Sequence, residues 1–280
     1  MNKVAYLGIP GSFSYSAALK YFGSDASFSG YENFKGIFDA LRENTAEFGI
    51  IPIENSLAGS IYDNYDYLSE YKANAIGELY LKVEHHLMIK NPLDTSEKAL
   101  QEIKKVYSHP KALEQCNLFF EKYPHIEKIA YGDTASAAKY VSELQNPTIA
   151  AIANREAADM YGLTIIKTNI QDHVINYTRF LVLSKNRSFA DDSNKCSIMF
   201  TLSHVPGSLM NTLKILADQD YNLTKIESRP IQAKPFEYIF YVDFEFPKGD
   251  IQAIDNVFNE LRKYTITLQV LGFYKSEKTL

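Results

Sequence analysis

The segment 176–180 reads Asn-Tyr-Thr-Arg-Phe and leads into the apolar run 181–183. Its amide, hydroxyl and guanidinium groups can hydrogen-bond a polar ligand, and the guanidinium can also pair with a carboxylate. The apolar run predicts a strand, along which successive side chains point to opposite faces. Thr178 is therefore expected to share a face with Asn176, while Arg179 points to the other face. A polar strand start without chemistry is the plainer explanation, so the neighbours of this segment decide whether it is a site.

Two clusters of hydrogen-bonding side chains follow predicted strands in the first 60 residues. A glycine turn at 8–11 follows the first strand, and Ser14 can then cap a helix. A later strand leads into Glu54, Asn55 and Ser56. Strands joined through a helix are nearly always parallel, and the loops after them meet at the ligand-binding edge of the sheet. We expect the two loops to be neighbours, although a helix cap also explains Asn55 or Ser56.

A second series of strands, loops and helices runs from about 96 to 161. Ser108 and His109 follow one predicted strand of this series, and Asp133 and Thr134 follow the next. The same topological argument places all four at one edge of a second sheet. A simple turn residue before proline is an equally good explanation of His109.

These patterns predict two α/β lobes in the first 185 residues. We expect residues 1–75 and 165–185 to form one lobe and residues 76–164 the other. Two connections between lobes create a cleft that can close like a hinge. Thr178 lies at the start of its strand. It would lie at this cleft if that strand runs antiparallel to the neighbouring strands, because the start of the strand would then lie beside their carboxyl ends.

A smaller α+β domain is predicted for residues 194–280, after a polar and aperiodic linker at 185–194. Its hydrophobic pattern predicts strand, helix, strand, strand, helix, strand, the βαββαβ order of a ferredoxin-like sandwich. Gly207 and Ser208 open its first helix, where backbone N–H groups suit a carboxylate.

Composition excludes several classes of protein. The net charge of −5, with acidic and basic residues mixed throughout, predicts no face for nucleic acid. No apolar run approaches membrane-spanning length, and Met1 leads directly into a strand, so we expect a cytoplasmic protein without membrane partners. Cys116 and Cys196 fit no metal spacing, and the adjacent His85 and His86 should face opposite ways on a strand. We therefore expect no metal and no organic cofactor.

Seven short motifs, taken together and in this order, resemble the prephenate dehydratase family in its monofunctional form, followed by an ACT regulatory domain. Each is weak alone, but the set spans nearly the whole chain. They are Ala5-Tyr6-Leu7-Gly8 with Gly11-Ser12-Phe13-Ser14, Pro52-Ile53-Glu54-Asn55-Ser56 with Gly59, Ser108-His109-Pro110, Asp133-Thr134-Ala135, Ile170-Gln171-Asp172, Asn176 with Thr178-Arg179-Phe180, and Glu227-Ser228-Arg229-Pro230.

The resemblance implies a two-lobed catalytic domain of the periplasmic-binding-protein type over residues 1–185. It implies decarboxylative dehydration of prephenate to phenylpyruvate, CO₂ and water, in phenylalanine biosynthesis. Thr178 would lie beside the leaving hydroxyl as a hydrogen-bond donor, since a threonine is too weak an acid to release a proton readily. Asn55 would assist catalysis. Glu54 is the alternative to Thr178 as the acid, if burial raises the pKa of its carboxyl group. The expected substrate-binding residues are Ser12, Ser14, Ser56, Thr134 and Arg179, the last only if its face of the strand is the cleft face.

For the ACT domain the resemblance implies an allosteric site for L-phenylalanine at an interface between subunits of a homodimer or homotetramer. The residues implied are Gly207, Ser208, Leu209, Glu227, Ser228, Arg229 and Pro230.

Three departures from the family pattern leave alternatives open. Ile9-Pro10 is closer to the arogenate dehydratase variant, Lys111 stands where glutamine is frequent, and Ser208 replaces a frequent alanine. Arogenate dehydratase is therefore an alternative function. A non-enzymatic amino-acid sensor is a second alternative, because the same cleft architecture also serves binding proteins.

Overall fold

The chain folds into two units, each built from two stretches of sequence. The computed structural model describes residues 1–91, 97–144, 146–186, 190–231, 234–248 and 251–277. The first unit comprises residues 1–61 and 80–180, and the second comprises 62–79 and 181–280. The predicted linker at 185–194 lies partly outside the described residues, because 187–189 are not among them.

The elements up to residue 184 are strands and helices that mostly alternate. The chain forms β1 (Lys3–Leu7), α1 (Phe13–Phe22), β2 (Ser27–Tyr31), α2 (Phe34–Arg42), β3 (Phe48–Asn55), β4 (Gly59–Ser60), α3 (Tyr62–Tyr71) and β5 (Asn74–Lys82). It continues with β6 (His86–Ile89), α4 (Glu97–Glu102), β7 (Lys105–Ser108), α5 (Pro110–Glu114), α6 (Asn117–Lys122), β8 (Glu127–Ala130), α7 (Thr134–Leu144), β9 (Ile149–Ala153), α8 (Arg155–Tyr161), β10 (Thr164–Lys167) and β11 (Tyr177–Ser184).

The first sheet has the strand order β2-β1-β3-β11-β5, with β4 also paired to β3. β1 runs parallel to β2 and to β3, which confirms the parallel pairing predicted for the two strands that precede the polar loops. The start of β11 lies at the end of β3, since Ser56 N donates to Tyr177 O at 2.8 Å. β11 therefore runs antiparallel to β3, the orientation that the cleft hypothesis for Thr178 requires.

The second sheet has the order β10-β6-β9-β7-β8. β7 is parallel to β8 and β9, and β6 is antiparallel to β9 and β10. Side chains alternate along β6 and β9 between two buried clusters: Leu87 and Ile152 belong to one, and Met88 and Ala151 to the other. Both faces are thus covered, as in other α/β sheets. The predicted two-lobed α/β architecture is confirmed.

The predicted lobe limits are wrong at both crossings. β5 belongs to the first sheet, although the sequence pattern places residues 76–82 in the second lobe. β10 pairs antiparallel with β6 in the second sheet, although the pattern places residues 165–167 in the first lobe. A short apolar strand can complete either sheet, and backbone pairing with a distant partner decides between them.

Two segments predicted as continuous elements are divided in the structure. The extended segment 76–88 forms β5 and β6, in different sheets, and the helix predicted over 112–120 forms α5 and α6. The Asp172 carboxylate accepts from the backbone N–H groups of Asn117 and Leu118, both at 3.0 Å, and so supports the new helix start.

The second unit contains a four-stranded antiparallel sheet with two helices. Its elements are β12 (Lys195–Thr201), α9 (Ser208–Ala217), β13 (Asn222–Pro230), β14 (Tyr238–Glu245), α10 (Ile251–Tyr264) and β15 (Thr267–Tyr274). The strand order β13-β14-β12-β15 is that of a ferredoxin-like sandwich. Cys196, Leu216, Phe244 and Leu261 lie in its buried core. The predicted βαββαβ order is confirmed.

Candidate active site

Thr178 and Asn55 form the centre of a polar cluster where β3 ends and β11 begins. Asn55 Nδ2 donates to Thr178 Oγ1 at 3.0 Å and to Asn176 Oδ1 at 2.7 Å. Asn55 Oδ1 accepts from the backbone N–H groups of Leu57 and Ala58, at 3.0 and 2.9 Å. Because this turn holds the amide oxygen, the amide nitrogen points toward β11. The Thr178 oxygen therefore acts as an acceptor, and its own proton can be donated to a ligand.

A cavity of ≈350 Å³ lies at this cluster, within the first unit. Gly8 and Ser14 line it together with Asn55 and Ala58, so the loops after β1 and β3 are neighbours, as predicted. The other described lining residues include the apolar Leu7, Phe13, Pro52, Ile61, Val83, Ala112 and Phe180, and the polar Ser12, His85, His109, Lys111, Gln115, Asp133, Thr134 and Thr178. The cavity therefore combines an apolar wall with hydrogen-bonding groups from both lobes.

Glu54 and Arg179 lie on the opposite faces of their strands from Asn55 and Thr178. Arg179 Nη1 is 3.3 Å from Glu54 Oε1, and the arginine side chain is only 2% exposed. Neither residue is among the described residues that line the cavity. The alternation predicted from sequence is confirmed, and it removes the geometric basis for Arg179 as a carboxylate ligand and Glu54 as an acid.

Ser56 and Ser12 use their hydroxyls to hold the backbone. Ser56 Oγ accepts from Tyr177 N at 2.9 Å, which ties the loop after β3 to β11. Ser12 is the N-cap of α1: its Oγ accepts from Tyr15 N at 3.1 Å and donates to Leu7 O at 3.0 Å. The sequence pattern predicts the cap at Ser14, which instead lies in the first turn of α1 and lines the cavity.

The second lobe brings Thr134 to the cavity but keeps Ser108 away from it. Thr134 begins α7, and Asp133 Oδ1 accepts from Ser136 N at 2.8 Å. Ser108 is fully buried and donates to Ile152 O at 2.7 Å, so it supports β9. His109 is the N-cap of α5, because its Nδ1 accepts from Lys111 N at 3.2 Å. His109 also lines the cavity.

Three polar residues of the cavity were not predicted as site residues: His85, Lys111 and Gln115. His85 Nε2 is 3.0 Å from Gln115 Oε1. Burial lowers the pKa of His85 below its ordinary value, so the ring is neutral near pH 7. Lys111 Nζ lies 3.1 Å from Glu114 Oε2 on the exposed surface of α5. Lys111 and Gln115 lie close to the Ser-His-Pro motif in the same short helical segment. This proximity in sequence could have indicated them as site residues.

The predicted effector residues lie in two separate groups in the second unit. Ser208 and Leu209 line a cavity of ≈360 Å³ with Ser203, His204 and Tyr238. Gly207 precedes them as the N-cap of α9, with a φ of 84° that favours glycine. Glu227, Ser228, Arg229 and Pro230 lie on β13 and are not among the described lining residues of that cavity.

Arg229 instead contacts α3. Its Nη2 donates to Asp66 Oδ2 at 2.9 Å, and its guanidinium lies 4.6 Å from the centroid of the Tyr62 ring. This contact lies within the second unit, because α3 belongs to it.

The described residues contain neither a metal-binding cluster of three or more His, Cys, Asp or Glu side chains nor a helix long and apolar enough to cross a membrane.

Residues 4–188 match a family model described as prephenate dehydratase. The chain therefore belongs to the prephenate dehydratase family and is an enzyme of the lyase class.

Two relatives carry different activities in their names. Arogenate dehydratase 2 of Petunia hybrida is 37% identical, over 98% of this chain and 72% of its own. The bifunctional chorismate mutase/prephenate dehydratase of Aquifex aeolicus is 34% identical, over 97% of this chain and 73% of its own.

Two solved structures share the fold over nearly the whole chain. Prephenate dehydratase of Arthrobacter aurescens in complex with L-Phe has a TM-score of 0.85 and 25% identity, over 98% of this chain and 89% of its own. GqqA, described as a novel type of quorum quenching acylase, has a TM-score of 0.86 and 25% identity, over 98% of both chains. The shared fold alone therefore does not decide the reaction.

Proposed function

We propose that this enzyme is a prephenate dehydratase, which converts prephenate to phenylpyruvate, CO₂ and water. The observation that carries this proposal is the Thr178 hydroxyl, held by Asn55 at the wall of a cavity with both apolar and polar lining. In the reaction, the bond between the ring and its carboxylate breaks and CO₂ leaves. The released electron pair completes the aromatic ring and expels the ring hydroxyl, which takes up a proton and leaves as water.

Thr178 would assist the departure of the hydroxyl. Asn55 donates to Thr178 Oγ1, so the threonine proton is directed elsewhere and can be donated to the leaving oxygen. This hydrogen bond stabilises the oxygen as negative charge develops on it, and solvent supplies the proton of the water formed. Asn55 positions the threonine and thereby supports the same step.

The remaining polar groups would bind the side-chain carboxylate and the keto oxygen of prephenate. Ser14 and Thr134 provide hydroxyls, and Lys111 provides a cation. Apolar neighbours such as Phe13 and Phe180 keep water from the ring, which favours loss of the poorly solvated carboxylate.

Arogenate dehydratase is a second candidate, favoured by the 37% identity to the Petunia enzyme of that name. Arogenate has an amino group where prephenate has a keto oxygen, so the same residues could serve both reactions. The first experiment is to incubate the purified enzyme separately with each substrate and to follow phenylpyruvate and phenylalanine. Turnover of neither would contradict both candidates.

Thr178→Ala should reduce kcat for the preferred substrate by about 100-fold or more, the effect expected when assistance to a leaving group is lost. Thr178→Ser keeps the hydroxyl and should retain most of the activity. Thr164→Ala, at an exposed position in β10, is the matched control and should be unaffected. A Thr178→Ala enzyme as active as the control would remove Thr178 from the mechanism.

We also propose that L-phenylalanine regulates the enzyme through the second unit, acting as an ACT domain over residues 194–280. Three observations support this: the L-Phe complex of the Arthrobacter relative, the ferredoxin-like topology, and the cavity beside Ser208 and Leu209. Arg229 offers a route for the signal, because its partner Asp66 lies on α3, which directly follows Ile61 of the cavity wall. The homodimer or homotetramer and the cytoplasmic location remain predictions.

A further inference from the structure

The side chains of His85 and Gln115 form a hydrogen-bonded pair in the wall of the catalytic cavity. His85 Nε2 lies 3.0 Å from Gln115 Oε1, and both residues line the cavity. His85 is only 2% exposed, and its ring packs edge-on against Phe13 at a centroid distance of 5.8 Å. The imidazole therefore has a fixed position from which it can orient the carboxamide.

The segment 170–172 forms hydrogen bonds with the backbone of both His85 and Gln115. Ile170 N donates to His85 O at 2.9 Å, and His85 N donates to Gln171 Oε1 at 3.0 Å. Asp172 N donates to Gln115 O at 2.7 Å. All three residues of the Ile-Gln-Asp motif thus hold either His85 or Gln115, and the mechanism above does not use them otherwise.

The protonation of His85 decides which end of the Gln115 carboxamide is available. His85 Nδ1 is buried and has no hydrogen-bond partner among the described residues, so it suits the unprotonated nitrogen of a neutral ring. The proton then lies on Nε2 and is donated to Gln115 Oε1. Both N–H bonds of the carboxamide remain for other acceptors, and all the carboxylate and keto oxygens of prephenate are acceptors.

We propose that His85 is a positioning residue, which uses its Nε2–H to hold the Gln115 carboxamide with the NH₂ group presented to a carboxylate or keto oxygen of the substrate. Hydrogen bonds from the Ile170–Asp172 segment hold both residues in this arrangement. The proposal rests on the proposed function, because it assigns a polar contact to the same substrate.

The test is a double-mutant cycle of His85→Leu and Gln115→Leu, with kcat and KM measured for prephenate. Loss of one hydrogen bond to a charged group weakens binding by about 10- to 100-fold, so each single change should raise KM by about that factor and change kcat less. If His85 acts through Gln115, the double variant should have a KM within about twofold of the Gln115→Leu variant. A double variant whose KM rise is the product of the two single effects would overturn the proposal.

Two conservative variants keep the test decisive if His85→Leu does not fold. His85→Gln retains an N–H donor near Nε2 and should restore most of the binding lost in His85→Leu. Gln115→Glu still accepts from Nε2–H but presents an oxygen to the cavity, so its KM should rise as much as that of Gln115→Leu. A Gln115→Glu enzyme with wild-type KM would overturn the donor role.

Binding measured without turnover separates this proposal from the proposed function. The same variants in a Thr178→Ala background would be titrated with prephenate by calorimetry. Wild-type protein that turns over neither prephenate nor arogenate would contradict the proposed function. Prephenate that binds equally well with and without His85→Leu would contradict the positioning role.

Discussion

Asn55 shows how one side chain can fix the direction of another. Its oxygen is held by two backbone N–H groups of the turn before β4, which leaves its nitrogen for Thr178 and Asn176. An aspartate would accept at the turn equally well but could not donate to Thr178. The requirement for an amide at this position therefore follows from the local hydrogen bonds.

Cys116 follows Gln115 but is not suited to nucleophilic chemistry. Burial raises the pKa of its thiol to about 12, and the nearby Asp172 acts in the same direction. The reactive form is the thiolate, so Cys116 should resist alkylation by iodoacetamide at pH 8 until the protein is unfolded. Mass spectrometry of digests labelled with and without denaturant measures this. Rapid labelling of Cys116 in the native protein would contradict the expectation.

At the scale of elements, α3 follows the cavity loop in sequence and contacts Arg229 of the proposed regulatory motif. It begins directly after Ile61 and carries Asp66, the partner of Arg229. The position of α3 in sequence, between the loop after β3 and a strand of the first sheet, gives no indication of this contact.

Asp66→Ala should weaken inhibition by L-phenylalanine while leaving turnover without effector within about twofold of wild type. The two side chains are 45% and 25% exposed, so the pair is partly screened, and the concentration for half-inhibition should rise about two- to fivefold. Inhibition curves measure the shift. The control is Asp63→Ala, an exposed position in the first turn of the same helix. Equal curves for both variants and wild type would remove α3 from the coupling route.

At the scale of the whole molecule, two histidines make stability depend on pH. Burial lowers the pKa of both His85 and His86 below the ordinary 6.5. His86 Nδ1 also accepts from Asn169 N at 3.2 Å, a hydrogen bond that protonation of this nitrogen would break. As pH falls below about 6.5 the unfolded chain binds protons that the folded chain does not, so the free energy of unfolding decreases.

Urea unfolding at pH 7.5 and 5.5 should therefore show a loss of stability in wild type that is smaller in His85→Gln. The contribution of each histidine is at most about 1.4 kcal/mol per pH unit within its window. His125→Gln, at an exposed position, is the control and should lose as much stability as wild type. An equal loss in the His85→Gln and His125→Gln variants would contradict the assignment to His85.

Local sequence patterns are sufficient to predict the alternation along β11, the βαββαβ order of the second unit and the two polar loops that meet at the cavity. Each depends on the spacing of neighbouring residues or on a topological rule for consecutive strands. The period of two along a strand is therefore enough to assign Thr178 and Arg179 to different faces. The roles of the site residues remain proposals.

The tertiary structure alone decides which sheet β5 and β10 join, where the helix after His109 breaks, and which polar residues complete the cavity. β2, with the sequence Ser-Phe-Ser-Gly-Tyr, was not predicted, because it is neither apolar nor regular and depends on its pairing with β1. His85 and Gln115 are 30 residues apart, and segment 170–172 holds both from more than 50 residues further along. Such contacts depend on how distant backbone groups satisfy their hydrogen bonds, which the spacing of neighbouring residues does not encode.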